Sequence, residues 1–283
     1  MNNAYLYYLD STERLSELLV SYESLKRTAP KYQVYCMCGP EIVNEKIFSF
    51  FREIGIVPLI TNKPLHLYLF DDDGNWCSRF ICFGKLDIFN LTMFDKVVFL
   101  GTDTYITKNI DELFDYPDGS MATHHVNDYN GMGANGDVFV VTPNKETMKN
   151  IMQIIKEDIQ NYNFRYLYDQ EFLENYYNHR NNPKLHLNYM YNMIIPNIND
   201  YENNPLFDYE SVKIFHFLGA PKVEDKVKLD DFPNMHGGTN YNLSNKIIKE
   251  YLTFYDEVID RYKLKYPYMP LANSVHRSAN KVE

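Results

Sequence analysis

Cysteine, basic charge, long apolar runs and glycine-rich phosphate loops are all scarce in this chain, and each shortage excludes something. There are only four cysteines, Cys36, Cys38, Cys77 and Cys82. Cys36 and Cys38 alternate along a strand-like run, with side chains expected on opposite faces, so they make a poor disulfide or zinc pair. Reduced structural thiols are the expectation for all four. Acidic residues outnumber basic ones and the formal net charge is −10, which argues against a general nucleic-acid binder. An anionic small ligand is still allowed, because local lysines can serve it. No apolar run approaches the roughly 18 residues of a membrane span, and no basic, apolar, small-residue leader opens the chain. A cytoplasmic protein, or an excised catalytic domain, is expected. No Gly-x-Gly-x-x-Gly follows the first strand-like run, so nothing indicates a dinucleotide.

What is present is an ordinary hydrophobic content of 45% and an aromatic surplus of 25 tyrosines and 18 phenylalanines. A chain of 283 residues is long enough for one α/β domain with a sizeable core. Its pattern alternates. Ala4 to Leu9 reads as a strand, Glu13 to Lys26 as a helix capped by Ser11-Thr12-Glu13, Gln33 to Met37 as a strand, Glu41 to Ile54 as a helix and Ile56 to Ile60 as a strand. That order argues for βαβ units and a parallel, Rossmann-like sheet. Asp71-Asp72-Asp73-Gly74 reads as a solvated turn. Trp76 to Phe89 reads as a helix carrying Lys85. His124 and His125 are adjacent without an evident third ligand and read as structural. Lys145 to Gln160 is an amphipathic helix, Asp169-Gln170 opens another, Leu185 to Ile195 reads as a strand pair or turn, Val212 to Phe217 as a strand, and Leu243 to Tyr262 as a long helix.

The chain is organised around Lys96 to Asp115. Lys96 to Leu100 is β-branched and aromatic, the mark of a buried strand. It runs into Gly101-Thr102-Asp103, and a short helical turn follows from Ile110 to Phe114. A carboxylate at the end of a buried strand is costly unless a cation or donor meets it. In open α/β sheets, strand ends are also where ligands bind.

These residues resemble the glycogenin-like GT8 family of retaining glycosyltransferases. Asn109-Ile110-Asp111-Glu112-Leu113-Phe114 matches the family's run after its Asp-x-Asp motif, and Ala4 to Thr28 looks like its opening strand and helix. Asn135, the pair Asp169-Gln170 after Tyr168, the Tyr191-Asn192 landmark and His216-Phe217-Leu218-Gly219-Ala220-Pro221-Lys222 follow in the family's order. The departures are specific. Gly101 stands where the first Asp of Asp-x-Asp is usual, so only Asp103 remains. Leu9, Asp10 and Ser11 replace the usual uridine-side residues. Gly136 replaces a Ser, and Tyr166 an acidic residue. Asp137 replaces a Gly, putting a carboxylate that either clashes or supplies charge where a backbone approaches closely.

The resemblance implies a single GT-A domain over residues 1–265, a mixed, mainly parallel sheet flanked by helices, with a nucleotide-binding half of about 1–115, an acceptor half of about 116–265 and a flexible tail at 266–283. It implies transfer of a hexose, most readily glucose, from a UDP-sugar to a sugar, glycan or protein tyrosine, with Mn²⁺ or Mg²⁺ as cofactor. Lys85, eighteen residues before Asp103, would face the sugar nucleotide; on composition alone it is an exposed helical lysine. Asp169 and Gln170 would lie beside the sugar. Leu9, Ser11, Lys85, Thr102, Asp103, Asn135, Gly219 and Lys222 would bind the donor, and Asp103 and His216 the metal. A position that is a self-glucosylated tyrosine in animal glycogenins is Asn199 here, leaving Tyr201 as the nearest hydroxyl. Only family analogy suggests a homodimer. The losses at 101 and 137 keep two alternatives open: a member that binds a UDP-sugar without useful catalysis, and an interaction or scaffold protein.

Overall fold

Hydrophobic strands and amphipathic helices alternate in the order the sequence suggests. The structure, a computed structural model, describes residues 1–61, 78–123, 133–160, 169–195, 198, 201, 204–217 and 242–272. The expectations for Asp71–Gly74, His124, His125, Asn199, Gly219, Lys222 and residues 273–283 fall outside the described residues. The chain divides into two compact units, one of residues 1–11, 31–101 and 111–188, the other of 12–30, 102–110 and 189–283.

The first unit is built on a seven-stranded sheet. Its strands are β1 (Asn3–Leu9), β2 (Gln33–Cys38), β3 (Ile56–Ile60), β4 (Lys96–Leu100), β6 (Ser120–Thr123), β7 (Ala134–Val141) and β8 (His186–Leu187). The spatial order is β3-β2-β1-β4-β7-β6-β8. The pairs among β3, β2, β1 and β4 are parallel, whereas β7 runs antiparallel to both β4 and β6. This is the expected mixed, mainly parallel sheet flanked by helices. Helix α2 (Glu45–Ile54) starts on an Asn44 side-chain cap and buries Ile47, Phe48, Phe50, Phe51 and Ile54, which recur at helical spacing. Its first residues depart from expectation: Pro40–Ile42 form a separate 3₁₀ turn before α2 begins. Helices α3 (Lys145–Gln160) and α4 (Asp169–Tyr176) pack on the segment around Lys85 and on β7, respectively. The core joins Leu6, Phe89, Phe99, Phe139, Ile151 and Phe172.

Two further expectations need correction. The run expected as an α-helix from Trp76 is a 3₁₀ helix over Ser78–Asn90. Every residue from Gly84 to Phe89 is buried, so this stretch has no solvent-facing side to set an amphipathic α-helical stripe. Cys36 and Cys38 do not face opposite ways. Residues two apart in a strand share a face, and burial together with the Cys38 thiol pushes the Cys36 thiol up. Both are buried free thiols, as expected of structural cysteines.

The second unit holds α1 (Leu15–Arg27), β5 (Thr104–Ile106), β9 (Met193–Ile194), β10 (Ile214–His216) and α5 (Asn242–Lys265). Strand β10 lies between β5, antiparallel, and β9, parallel. The sequence reading does not anticipate β5, which is too short to carry a pattern. Of the strand pair or turn expected at Leu185–Ile195, the turn forms and the two short strands do not pair with each other. Strand β8 pairs with β6 and β9 with β10, with a 3₁₀ turn at Tyr189–Tyr191 between them. Helix α1 packs on β5 and α5. Tyr251 of α5 stacks on Phe217 at 3.9 Å between ring centroids. Among the described residues, no helix is long and apolar enough to cross a membrane.

Candidate active site

In the first unit the 3₁₀ helix carries Lys85 past β1. A Cβ on Gly84 would overlap the hydroxyl end of the Tyr8 side chain, so a larger residue there would require that ring to shift. Lys85 is 8% exposed. Its ammonium pairs with the Asp169 carboxylate, donates to the Gly136 carbonyl at 3.2 Å, and lies 3.8 Å from Asp137 Oδ1. The Phe99 ring lies 5.2 Å away on another side, a distance at which a ring face attracts a cation. Gly136 is the second glycine with a spatial reason: a Cβ there would sit 2.9 Å from Lys85 Nζ.

Asp169 opens α4 and is 5% exposed. The positive end of a helix favours a carboxylate at this place, which accounts for its position but not for burying it with a lysine. Gln170, the next residue, accepts from Asn135 Nδ2 at 3.4 Å. Asn135 is fully buried in β7 and its Oδ1 accepts from the Asp137 N–H at 2.9 Å. Lys85, Asn135, Asp169 and Gln170, distant in sequence, therefore form one polar cluster. Leu9 ends β1 wholly buried, its carbonyl accepting from Gly39 N–H at 2.9 Å, and Ser11 is partly exposed.

In the second unit, Asp103 and His216 come together. His216 ends β10, opposite Thr104 of β5, and is fully buried. Phe217 N–H donates to the Asp103 carbonyl at 3.0 Å, which fixes the two backbones. His216 Nε2 then lies 3.3 Å from Asp103 Oδ1. Burial alone would raise the Asp103 carboxyl, but the adjacent imidazole, and after it Arg14, hold it down at about 2. Thr102, just before, is buried. Arg14 is missed by the sequence reading. It ends the 3₁₀ turn Thr12–Arg14, and no spacing or motif relates it to Asp103. Tyr201 is 6% exposed and its ring lies 5.9 Å from that of Phe207.

The Asn109–Phe114 run has mainly a scaffolding part. Asp111 accepts from the Tyr5 hydroxyl at 2.8 Å and from the Lys31 N–H at 3.1 Å. Lys96 Nζ donates to the carbonyls of Phe114 and Tyr116 at 2.9 and 2.7 Å. These bonds hold the chain beyond β4 in place.

No family model matches the chain. Among curated proteins it is 28% identical over 231 residues to glycogenin-1 of Caenorhabditis elegans, covering 78% of this chain and 51% of that protein. It is 31% identical over 213 residues to human glycogenin-1, covering 72% of this chain and 57% of that protein. The chain thus spans a little over half the length of these relatives. Among solved structures, the galactosyltransferase LgtC, in complex with donor and acceptor sugar analogues, superposes with a TM-score of 0.59 at 14% identity, covering 93% of this chain and 99% of that one. At that identity the likeness speaks for the fold.

Proposed function

We propose, for a chain that has the GT-A fold and resembles the glycogenin-like GT8 family, the activity of a retaining glycosyltransferase. It moves a hexose, most readily glucose, from a UDP-sugar to a sugar, glycan or protein tyrosine. The bond from the sugar's anomeric carbon to the diphosphate breaks, a bond to the acceptor oxygen forms on the same face, and the acceptor loses its proton. The observation that carries this reading is the buried Lys85–Asp169 pair with Asn135 and Gln170 beside it. Burying two charges costs several kcal/mol per ion before their attraction repays it, and buried polar constellations of this kind mark functional sites.

In this reading Lys85 offers positive charge to the sugar nucleotide, and Asp169 and Gln170 orient the transferred sugar by accepting from and donating to its hydroxyls. Asp103 and His216 fit a divalent cation, Mn²⁺ or Mg²⁺. The carboxyl held at about 2 is a carboxylate at neutral pH, and the imidazole nitrogen 3.3 Å away adds a second donor. Such a cation, when bound, supplies positive charge against the charge growing on the leaving diphosphate. Gly219 and Lys222 belong to the donor site by resemblance alone.

The test is UDP release across a panel of UDP-sugars, with and without chelator. Turnover that stops with chelator is the expected result, and no turnover with any donor would sink the proposal. Gly101 favours a second reading, a protein that binds UDP-sugar without useful catalysis. Tight UDP binding with no turnover would select it.

A further inference from the structure

In the second unit, a groove of about 470 Å³ lies between the end of α1, β5 and α5. Clefts of roughly 300–1,000 Å³ are those that hold small ligands. Lys246, Lys249, Glu250, Thr253 and Glu257 line it from one helix. Their spacing of three and four residues sets them in one stripe along α5. At 1.5 Å per residue that stripe is about 16 Å long. None of these residues is among those assigned above to the donor or the cation.

Tyr105 of β5 and Phe254 of α5 form the floor. Both are buried, at 7% and 3% exposure, and their ring centroids are 5.5 Å apart. The Tyr105 hydroxyl lies in a polar surround: burial first, then the Glu250 carboxylate, push it up to about 12, with Arg27 opposing. Among the described residues nothing hydrogen-bonds that hydroxyl, although a buried tyrosine usually gives its O–H a partner.

The charges on the walls cancel. Arg27 Nη2 pairs with Glu257 at 3.2 Å, and its guanidinium lies 3.7 Å from the Phe254 ring centre. Lys246 pairs with Glu210 at 3.7 Å and lies 4.5 Å from the Tyr209 ring centre. That leaves Lys249 and Glu250, exposed, of opposite sign and without an ion-pair partner among the described residues. Three cations thus meet three carboxylates. A phosphate or a metal ion finds no net charge there to attract it. The groove instead offers donors and acceptors side by side. Lys249 only donates, Glu250 only accepts, and the Tyr105 hydroxyl does either. Thr253 Oγ1 donates to the Lys249 carbonyl at 2.8 Å and keeps its lone pairs for an incoming O–H. A neutral polyhydroxyl ligand matches this lining: each hydroxyl both gives and takes a hydrogen bond, and its ring carbons suit an apolar floor.

We propose that the groove along α5 is a binding site for a neutral oligosaccharide, separate from the residues that act on the donor. The site rests on its own lining; that its ligand is a hexose polymer rests on the transferase reading given above.

The experiment is calorimetric titration of maltohexaose, and separately of xylohexaose and inorganic phosphate, into the full chain with no UDP-sugar present. Maltohexaose should bind and phosphate should not. Lys249→Ala/Glu250→Ala removes two exposed side chains and should weaken sugar binding at least about tenfold. Tyr105→Phe, which keeps the ring, should weaken it about fivefold. A parent protein that binds neither hexasaccharide overturns the proposal. So does binding that either variant leaves within about twofold of the parent, since the sugar then sits elsewhere on the chain. Phosphate binding that Lys249→Ala abolishes reassigns the groove to an anion and overturns it too. Binding of xylohexaose alone keeps the site and overturns the hexose. Absence of turnover with every UDP-sugar sinks the transferase reading and leaves the groove standing, because sugar binding here is read without catalysis.

Discussion

Lys85 and Asp169 form an ion pair in which both partners are withdrawn from water, their side chains keeping 10% and 7% exposure. Eighty-four positions separate them in the chain, and they meet because the 3₁₀ helix and α4 both pack on the same side of the first unit's core. An arrangement of this cost is held by its surroundings, and its energetics can be measured.

Removing either partner should be strongly destabilising. Lys85→Met or Asp169→Asn leaves one buried charge without its main counter-charge, a loss of about 3 to 5 kcal/mol. The double variant Lys85→Met/Asp169→Asn should lose markedly less than the two single losses added together. Urea unfolding of the four proteins gives the coupling. Additive single losses would mean that the pair contributes no coupling of its own.

Metal removal should act on UDP affinity. Titration of UDP in Mn²⁺ and again in EDTA should show binding at least about tenfold weaker in EDTA, the worth of one charged interaction. Asp103→Asn in Mn²⁺ should resemble the parent in EDTA. UDP affinity indifferent to chelator would point to a nucleotide pocket that works without metal.

Stability should depend on pH through two buried groups of opposite sign. Burial first, and the stacked His186 ring second, lower His179 from 6.5 to about 4. The unfolded chain then holds the extra proton between those values, so this contribution is intact above 6.5 and is lost as pH falls towards 4. Asp87 runs the other way. Burial raises its carboxyl from 3.8 to about 6, so its contribution is complete below 3.8 and is lost as pH rises through 6. His179→Leu should flatten the loss on acidification by roughly 3 kcal/mol, and Asp87→Asn should deepen it, which chemical denaturation at stepped pH would read. Parallel profiles for parent and both variants would remove these groups from the account.

Glu23 should be a fastening point of the second unit. It accepts from Arg261 Nη2 and from the Tyr262 hydroxyl, each at 2.6 Å, and is 8% exposed. The carboxylate joins α1 to α5. Glu23→Ala should cost about 2 to 3 kcal/mol, since it leaves a buried hydroxyl and a half-covered guanidinium without their acceptor. Thermal melting measures it, and a melting temperature equal to the parent's would assign the helix contact to its apolar residues instead.

Local pattern alone accounts for much of this molecule. Alternating strands and amphipathic helices are written in residues that succeed one another, so β1, β2, β3, β4, α2 and α3 are legible from periodicity and capping, and the parallel part of the sheet follows from their order, whereas the antiparallel β7 does not. The motif around Asn109–Phe114 is legible too, but not its part. Only the folded chain shows Asp111 spent on Tyr5 and Lys31 rather than on a ligand. Strand β10 is legible within Val212–Phe217, but β5, β8 and β9, of two or three residues, are too short to carry a period, and their pairing is decided by which long-range partner is near. The same holds for chemistry. Lys85 looks like a surface lysine until α4 brings Asp169 to it, and Arg14 has no motif at all. Tertiary structure decides these because burial and cross-strand register depend on what lies opposite in space, which linear spacing does not encode.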